Sequence, residues 1–337
     1  MEFFGFTLFG SLSGGALLAV AAVIFVVGLA LTIKGGDWFV DSASWFAEAT
    51  GIPKFVVGAT VVSFATTLPE LLVSVRAAMN GSAQLAIGNA VGSVTANTTL
   101  IMGVSLVAMA GIVSRKSFSL KGGLLLAAVI GLTALSLSGS LPTWSAYVLW
   151  AIFLIFMVSN LIEGKKAAAS DEIDSYEKKE IPSKIFFFII GTASIVFGAE
   201  FLVSSGKTIA SSIGISETII GFTVIALGTS LPELVTTLTA IRKKEASLSV
   251  GNIIGANIID TTLILPLCAV INGEALPVER INLIFDFPVC ILACAVAIIP
   301  TIIMGKFKKW QGFALLAIYA SYMALLVLNE TGVVALG

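Results

Sequence analysis

Apolar residues run along this chain in long blocks separated by short polar joints. A membrane-spanning helix needs about 20 such residues, with a range of roughly 17–25. Blocks of that kind fall at 14–34, 54–79, 84–111, 119–138, 144–163, 184–206, 215–241, 247–271, 281–304 and 309–329. The pattern predicts an all-α integral membrane protein with ten transmembrane helices. The first block, "GALLAVAAVIFVVGLALTI", follows no basic segment and is long enough to span, so it is expected to be a retained helix and not a cleaved leader. The one long hydrophilic stretch, "EGKKAAASDEIDSYEKKEIPSK", is expected to be a flexible, irregular loop. It divides the chain into a first membrane unit (1–163), a loop (164–183) and a second membrane unit (184–337).

Composition agrees. The chain is 57% hydrophobic and 12% charged, with a mean hydropathy of +1.04, against about 25% charged in a soluble domain. A bilayer must therefore be its solvent. A net charge of −1 points to no nucleic-acid partner. Histidine is absent, and Cys268, Cys290 and Cys294 lie in apolar runs, so neither an imidazole metal site nor a disulfide framework is expected. Lysine and arginine are retained on the cytoplasmic side. Ten spans with both termini outside put sixteen of the nineteen basic residues inside, leaving Arg76, Lys207 and Arg280 outside. The expectation is a multi-pass plasma-membrane protein with a cytoplasmic central loop.

The sequence also matches itself. Shifted by 163 residues, Gly51–Leu100 aligns with Gly214–Leu263 without a gap, and 19 of 50 positions are identical. "GNAVGSVTANTTL" (88–100) falls on "GNIIGANIIDTTL" (251–263). Apolar bias alone would not align glycine, asparagine, proline and glutamate. Each half carries five spans, an odd number, so the second enters the membrane from the opposite side. The result is two inverted-topology five-helix repeats, an architecture typical of transporters with a site near the bilayer midplane.

Each repeat places a helix breaker and an acid inside a span: "SFATTLPELLVSV" (63–75) and "ALGTSLPELVTTL" (226–238). In a continuous helix Pro69 would leave the carbonyl of Ala65 unpaired, and Pro232 that of Gly228. Irregular backbone at this depth is tolerated only where it is buried in protein or lines a wet cavity. Thr66 and Glu70 are four apart, as are Thr229 and Glu233, so each pair is expected on one helix face. Acids within a span are costly and generally functional. Together the halves assemble two carboxylates, two hydroxyls and freed carbonyls. An all-oxygen set with two negative charges suits a hard divalent cation, and flexible coordination by 6–8 oxygens favours Ca²⁺ over Mg²⁺. The next helices add Ser93 and Asn97, with Ala256 and Asp260 as their mates. Gly88, Gly92, Gly251 and Gly255 are expected to let these helices approach closely. Asn89 and Asn252 are expected to hydrogen-bond freed backbone, Thr98, Thr99, Thr261 and Thr262 to pack between helices, and Asp37 and Glu200 to be solvated near span ends.

At "ATTLPELLVS" with "GNAVGS…N", and "GTSLPELVTT" with "GNIIGANIID", the chain resembles the sodium/calcium exchanger family of the cation/calcium antiporter superfamily, over essentially its whole length. The resemblance implies an antiporter, not an enzyme, that uses no cofactor and exchanges Ca²⁺ for Na⁺ by alternating access as a monomer in the lipid bilayer. It implies that Glu70 and Glu233 ligate Ca²⁺, with oxygens from Thr66 and Thr229. Asn97 and Asp260 match the polar pair beside the centre, Ser230 a motif hydroxyl, and Ala226 a backbone-carbonyl position. Na⁺ sites would flank the centre, and the first and sixth spans would slide against the rest.

Three positions depart from the family pattern. Ser63 stands where alanine is common, Thr67 replaces a serine, and Ala256 replaces a serine whose hydroxyl would flank a Na⁺ site. The last leaves H⁺/Ca²⁺ exchange as the alternative coupling. A cation channel could use the same acids. An aspartyl protease would need two opposed aspartates, and among the aspartates only Asp260 is expected well inside a span, opposite Asn97.

Overall fold

The computed structural model describes residues 2–3, 6–7, 13–111, 115–170, 180–212, 228–273, 275–330 and 332–334. The described chain is almost wholly helical: α1 (Gly14–Thr50), α2 (Lys54–Thr66), α3 (Leu68–Met79), α4 (Ala83–Ala108), α5 (Arg115–Ser136), α6 (Ser145–Ser170), α7 (Ile181–Ser212), α8 (Leu231–Arg242), α9 (Ala246–Ile271), α10 (Asn282–Met304) and α11 (Lys309–Glu330). Among the described residues, eight helices are long and apolar enough to cross a membrane, and α2 with α3 makes a ninth, bent by 47°. The predicted span 215–241 begins outside the described residues; its second part is α8.

Two expected boundaries move. The first helix runs on past Lys34 to Thr50, 37 residues in all. Its polar position Asp37 looked like an end because its partner is remote in sequence. Asp37 pairs with Arg242, and Lys243 reaches Asp41 at 2.6 Å and Asp37 at 3.7 Å. Further along, Lys54 bridges Glu48 of α1 and Glu245, each at 2.7 Å. The stretch expected to be an irregular loop is helical at its start, since α6 continues through "GKKAAAS" to Ser170; residues 171–179 lie outside the described part.

α4 and α9 form the buried centre, whereas α1, α6, α7 and α11 present most of their apolar surface outward, as lipid-facing helices do. Elements follow the 163-residue shift closely. α3 becomes α8, α4 becomes α9, and the π-helical turn Asn97–Ile101 becomes Asp260–Ile264. Contacts exchange under the same shift. α1 and α7 pack antiparallel at glycines: a Cβ on Gly28 would lie 2.9 Å from Gly198 O, and one on Gly35 2.9 Å from Gly191 O. Gly191 is the mate of Gly28, and Gly198 the mate of Gly35. Near the start of α5, Lys121 is buried, bonded to Glu163 of α6 at 2.8 Å, with Phe55 beneath its ammonium.

Candidate cation site

The prolines do not kink a continuous helix. α2 stops at Thr66, Thr67 leaves helical geometry (φ −84°, ψ 4°), and Pro69 sits in the first turn of α3. There a missing N–H costs nothing, because the first N–H groups of a helix have no intrahelical partner anyway. The second repeat has the same geometry at Ser230 (φ −84°, ψ 5°) and Pro232. The threonine and glutamate of each motif therefore lie on opposite sides of a break and not on one helical face. Glu70 and Glu233 occupy the first turns of α3 and α8, and Asn97 and Asp260 each open a π turn. Such turns are rare and concentrate at functional sites. No sequence signal marked them beyond the shared "TTL" that follows.

Glu70, Glu233 and Asp260 are fully buried, and Glu70 interacts electrostatically with both of the others. The two motifs meet directly. Thr67 Oγ1 donates to Ser63 O at 2.7 Å and lies 3.3 Å from Glu233 Oε1. Thr66 Oγ1 donates to Asn252 Oδ1 at 3.1 Å. Asn89 Nδ2 donates to Glu70 O at 3.2 Å and to Ser74 Oγ at 2.9 Å, so it holds a backbone carbonyl within α3 and not the one expected to be freed at Ala65. Asn252 departs from that expectation: its oxygen takes the threonine hydroxyl, and its Nδ2 has no partner. The four threonines pack as expected, three of them bonded to carbonyls of their own helix and Thr98 accepting from Asn257 Nδ2 at 2.8 Å.

Most of the remaining oxygens are buried without a protein partner: both of Glu70, both of Asp260, Glu233 Oε2, Asn97 Oδ1, Ser93 Oγ, Ser230 Oγ and Asn257 Oδ1. An unpaired buried polar group costs about 1–3 kcal/mol, more when charged, and is uncommon in folded proteins. So many acceptors around two helix breaks make a site suited to a bound cation. Among the described residues, no three acidic, histidine or cysteine side chains converge closely enough to hold a metal ion alone. Amides, hydroxyls and carbonyls would have to complete the set, as hard cations accept.

Close packing holds these elements in place. A Cβ on Gly251 would strike Phe55 O and one on Gly255 would strike Ser63 Oγ, so α9 crosses α2 backbone to backbone. Ala256 beside this crossing is fully buried. Thr229 stands apart, half-buried and lining a cavity of about 180 Å³ with Pro69, Pro232, Glu200 and Lys207. Glu200 thus faces this cavity. Ala226 lies outside the described residues. Asp286, near the start of α10, accepts from Asn282 Nδ2 at 2.7 Å and from Tyr322 Oη at 2.9 Å. Those donors satisfy it locally, and it takes no part in the unpaired set.

The family model described as "Sodium/calcium exchanger protein" matches residues 20–162 and 183–328. The chain belongs to the sodium/calcium exchanger family. It is 29% identical to the sodium/calcium exchanger MaX1 of Methanosarcina acetivorans, over 92% of this chain and 99% of that one. It is 33% identical to an uncharacterized membrane protein of Methanocaldococcus jannaschii, with the same coverage. Among solved structures it resembles the sodium-calcium exchanger NCX_Mj soaked with Na⁺ and Sr²⁺, with a TM-score of 0.80 and 30% identity over 91% of this chain and 98% of that one. The family is one of transporters, and Na⁺ and Ca²⁺ are the ions named for these exchangers.

Proposed function

We propose that this exchanger moves Ca²⁺ against Na⁺ by alternating access, with Ca²⁺ held between Glu70 and Glu233. The observation that carries the reading is the set of buried, unpartnered oxygens around the two motifs. Two carboxylates neutralise one divalent ion, and Thr66 and backbone carbonyls freed at the breaks would complete its shell. Asn97, Asp260, Ser93, Ser230 and Thr67 line the flanks, where Na⁺ would bind. Ala226 would offer a carbonyl and Thr229 would act from the cavity side.

The paired glycines of α1 and α7 support inverted repeats, because contacts that exchange under a fixed shift are what a two-fold axis produces. With span 215–241 the count becomes ten, both termini lie outside a plasma membrane, and the monomer is the working unit. Alternating access needs two positions for part of the bundle, and α1 with α7, both among the outermost helices, would be that part.

The test is Ca²⁺ uptake into proteoliposomes under an imposed Na⁺ gradient, compared with a pH gradient of equal driving force. Uptake driven by Na⁺ supports the reading. Uptake driven by protons alone would replace Na⁺ by H⁺ as the coupling ion.

A further inference from the structure

The second half of α1 carries three acids, Asp37, Asp41 and Glu48, and each meets a cation from another helix. Asp37 pairs with Arg242, Lys243 reaches Asp41 at 2.6 Å, and Lys54 lies 2.7 Å from both Glu48 and Glu245. Arg242, Lys243 and Glu245 form the joint between α8 and α9, and Lys54 opens α2. The pairs therefore tie α1 to both broken-helix units at one end of the bundle. Beside them α1 and α8 are in close contact, since a Cβ on Gly36 would lie 2.8 Å from Thr239 Oγ1.

Basic residues at this end are expected from orientation in the membrane alone. That rule asks for no acids opposite them. Partly exposed pairs are individually weak and are screened by salt, so their effect depends on how they are distributed between the two halves. Under the 163-residue shift Arg242, Lys243 and Glu245 fall on Met79, Asn80 and Ser82, while Asp41 and Glu48 fall on Ser204 and Ser211. Asp37 and Lys54 fall on Glu200 and Glu217, which are both acids. The opposite end has basic residues of its own in α3 and α7, Arg76 and Lys207, but neither stands at a mate of Lys54, Arg242 or Lys243. Halves that exchange roles between two states give those states similar backbone contacts. Ion pairs made in one state and not in its mirror then bias the balance by their own free energy.

We propose that the ion pairs between α1 and the α8–α9 joint, with Lys54, form a latch that favours the state closed at this end, so that the exchanger without ions rests open at the other. The proposal rests on the alternating-access reading above. Its test places spin labels at Thr50→Cys and Ser247→Cys, both exposed positions, one on α1 and one on α9; the native cysteines are buried. Distances are measured in the full chain without Na⁺ or Ca²⁺. Wild type should show mainly the shorter separation. Arg242→Gln/Lys243→Gln should raise the ratio of long to short roughly tenfold, the scale of a few partly exposed pairs together. Arg242→Lys keeps the charge and should keep the ratio. Met79→Arg/Asn80→Lys, which sets cations at the mirror positions near Glu200, should move the ratio the other way. Concentrated choline chloride should shift wild type toward the long separation and leave the neutralised variant nearly unchanged, a comparison that wild type alone supports if the variant does not fold. Two separations whose ratio ignores both the charges and the salt overturn the latch. A single separation in every variant and every ion condition overturns the alternating-access reading itself.

Discussion

Thr67 and Glu233 belong to different broken helices, yet the threonine hydroxyl lies 3.3 Å from the glutamate Oε1. Through it the first motif holds a carboxylate of the second. Thr67→Val keeps the shape and removes the hydroxyl that lies between Ser63 O and Glu233 Oε1. Ca²⁺ flux at subsaturating Ca²⁺ should fall about tenfold, the equivalent of one hydrogen bond to a charged group, and Thr67→Ser should retain most of it. Flux in proteoliposomes at matched protein levels checks this.

Glu70→Gln and Glu233→Gln should each abolish Ca²⁺ transport while the protein still folds. Either change leaves a dication half neutralised in surroundings of low dielectric, where charge matters most. Both side chains are fully buried, and glutamine matches glutamate in size. Isotope uptake alongside a size-exclusion profile separates lost function from lost fold. Near-normal uptake in either variant would remove that residue from the centre of the site.

Acidification should slow exchange. Protons compete with cations for the carboxyl oxygens, and every proton bound at Glu70 or Glu233 removes a ligand charge. Initial Ca²⁺ flux at fixed ion gradients should decline from neutral to mildly acidic pH, and raised Ca²⁺ should restore it. A flat profile would mean that neither acid takes a proton while exposed to the medium.

The buried pair near the start of α5 should respond asymmetrically. The Lys121 side chain is 1% exposed and that of Glu163 30%. Glu163→Gln strands an ammonium away from water, at a cost of about 3–5 kcal/mol. Lys121→Met leaves a carboxylate that water can reach, and should cost less, on the order of 1 kcal/mol. Thermal unfolding of the two variants in the same detergent compares them directly.

The spans, the breaks at Pro69 and Pro232 and the repeat were legible because each is local or periodic in the sequence. The acids Glu70, Glu233 and Asp260 were legible because charge is rare at that depth. What escaped was set by partners distant in sequence. Asp37 marked a false helix end because Arg242 matches it from two hundred residues away. Asn252 was read from its mate Asn89, but the crossing at Gly255 brings Thr66 to its oxygen instead. Thr229 was read as the equal of Thr66, yet Thr66 is buried and Thr229 opens onto a cavity. Sequence correspondence gave the shared backbone plan and not each side chain's partner.

The seam between α1 and α7 sets a mechanical limit. A Cβ on Gly28 or Gly35 would press on the opposing backbone, and so would one on Gly191 or Gly198. At these glycines backbone lies against backbone, so a shift of one residue along the seam would drive Phe39 or Ser194 into the facing chain. The pair should therefore travel as a single plank, with its internal spacing fixed while its distance to α9 changes. Spin labels on α1 and α7 would report one constant separation in every ion condition, and a label on α9 would see both helices arrive and depart together.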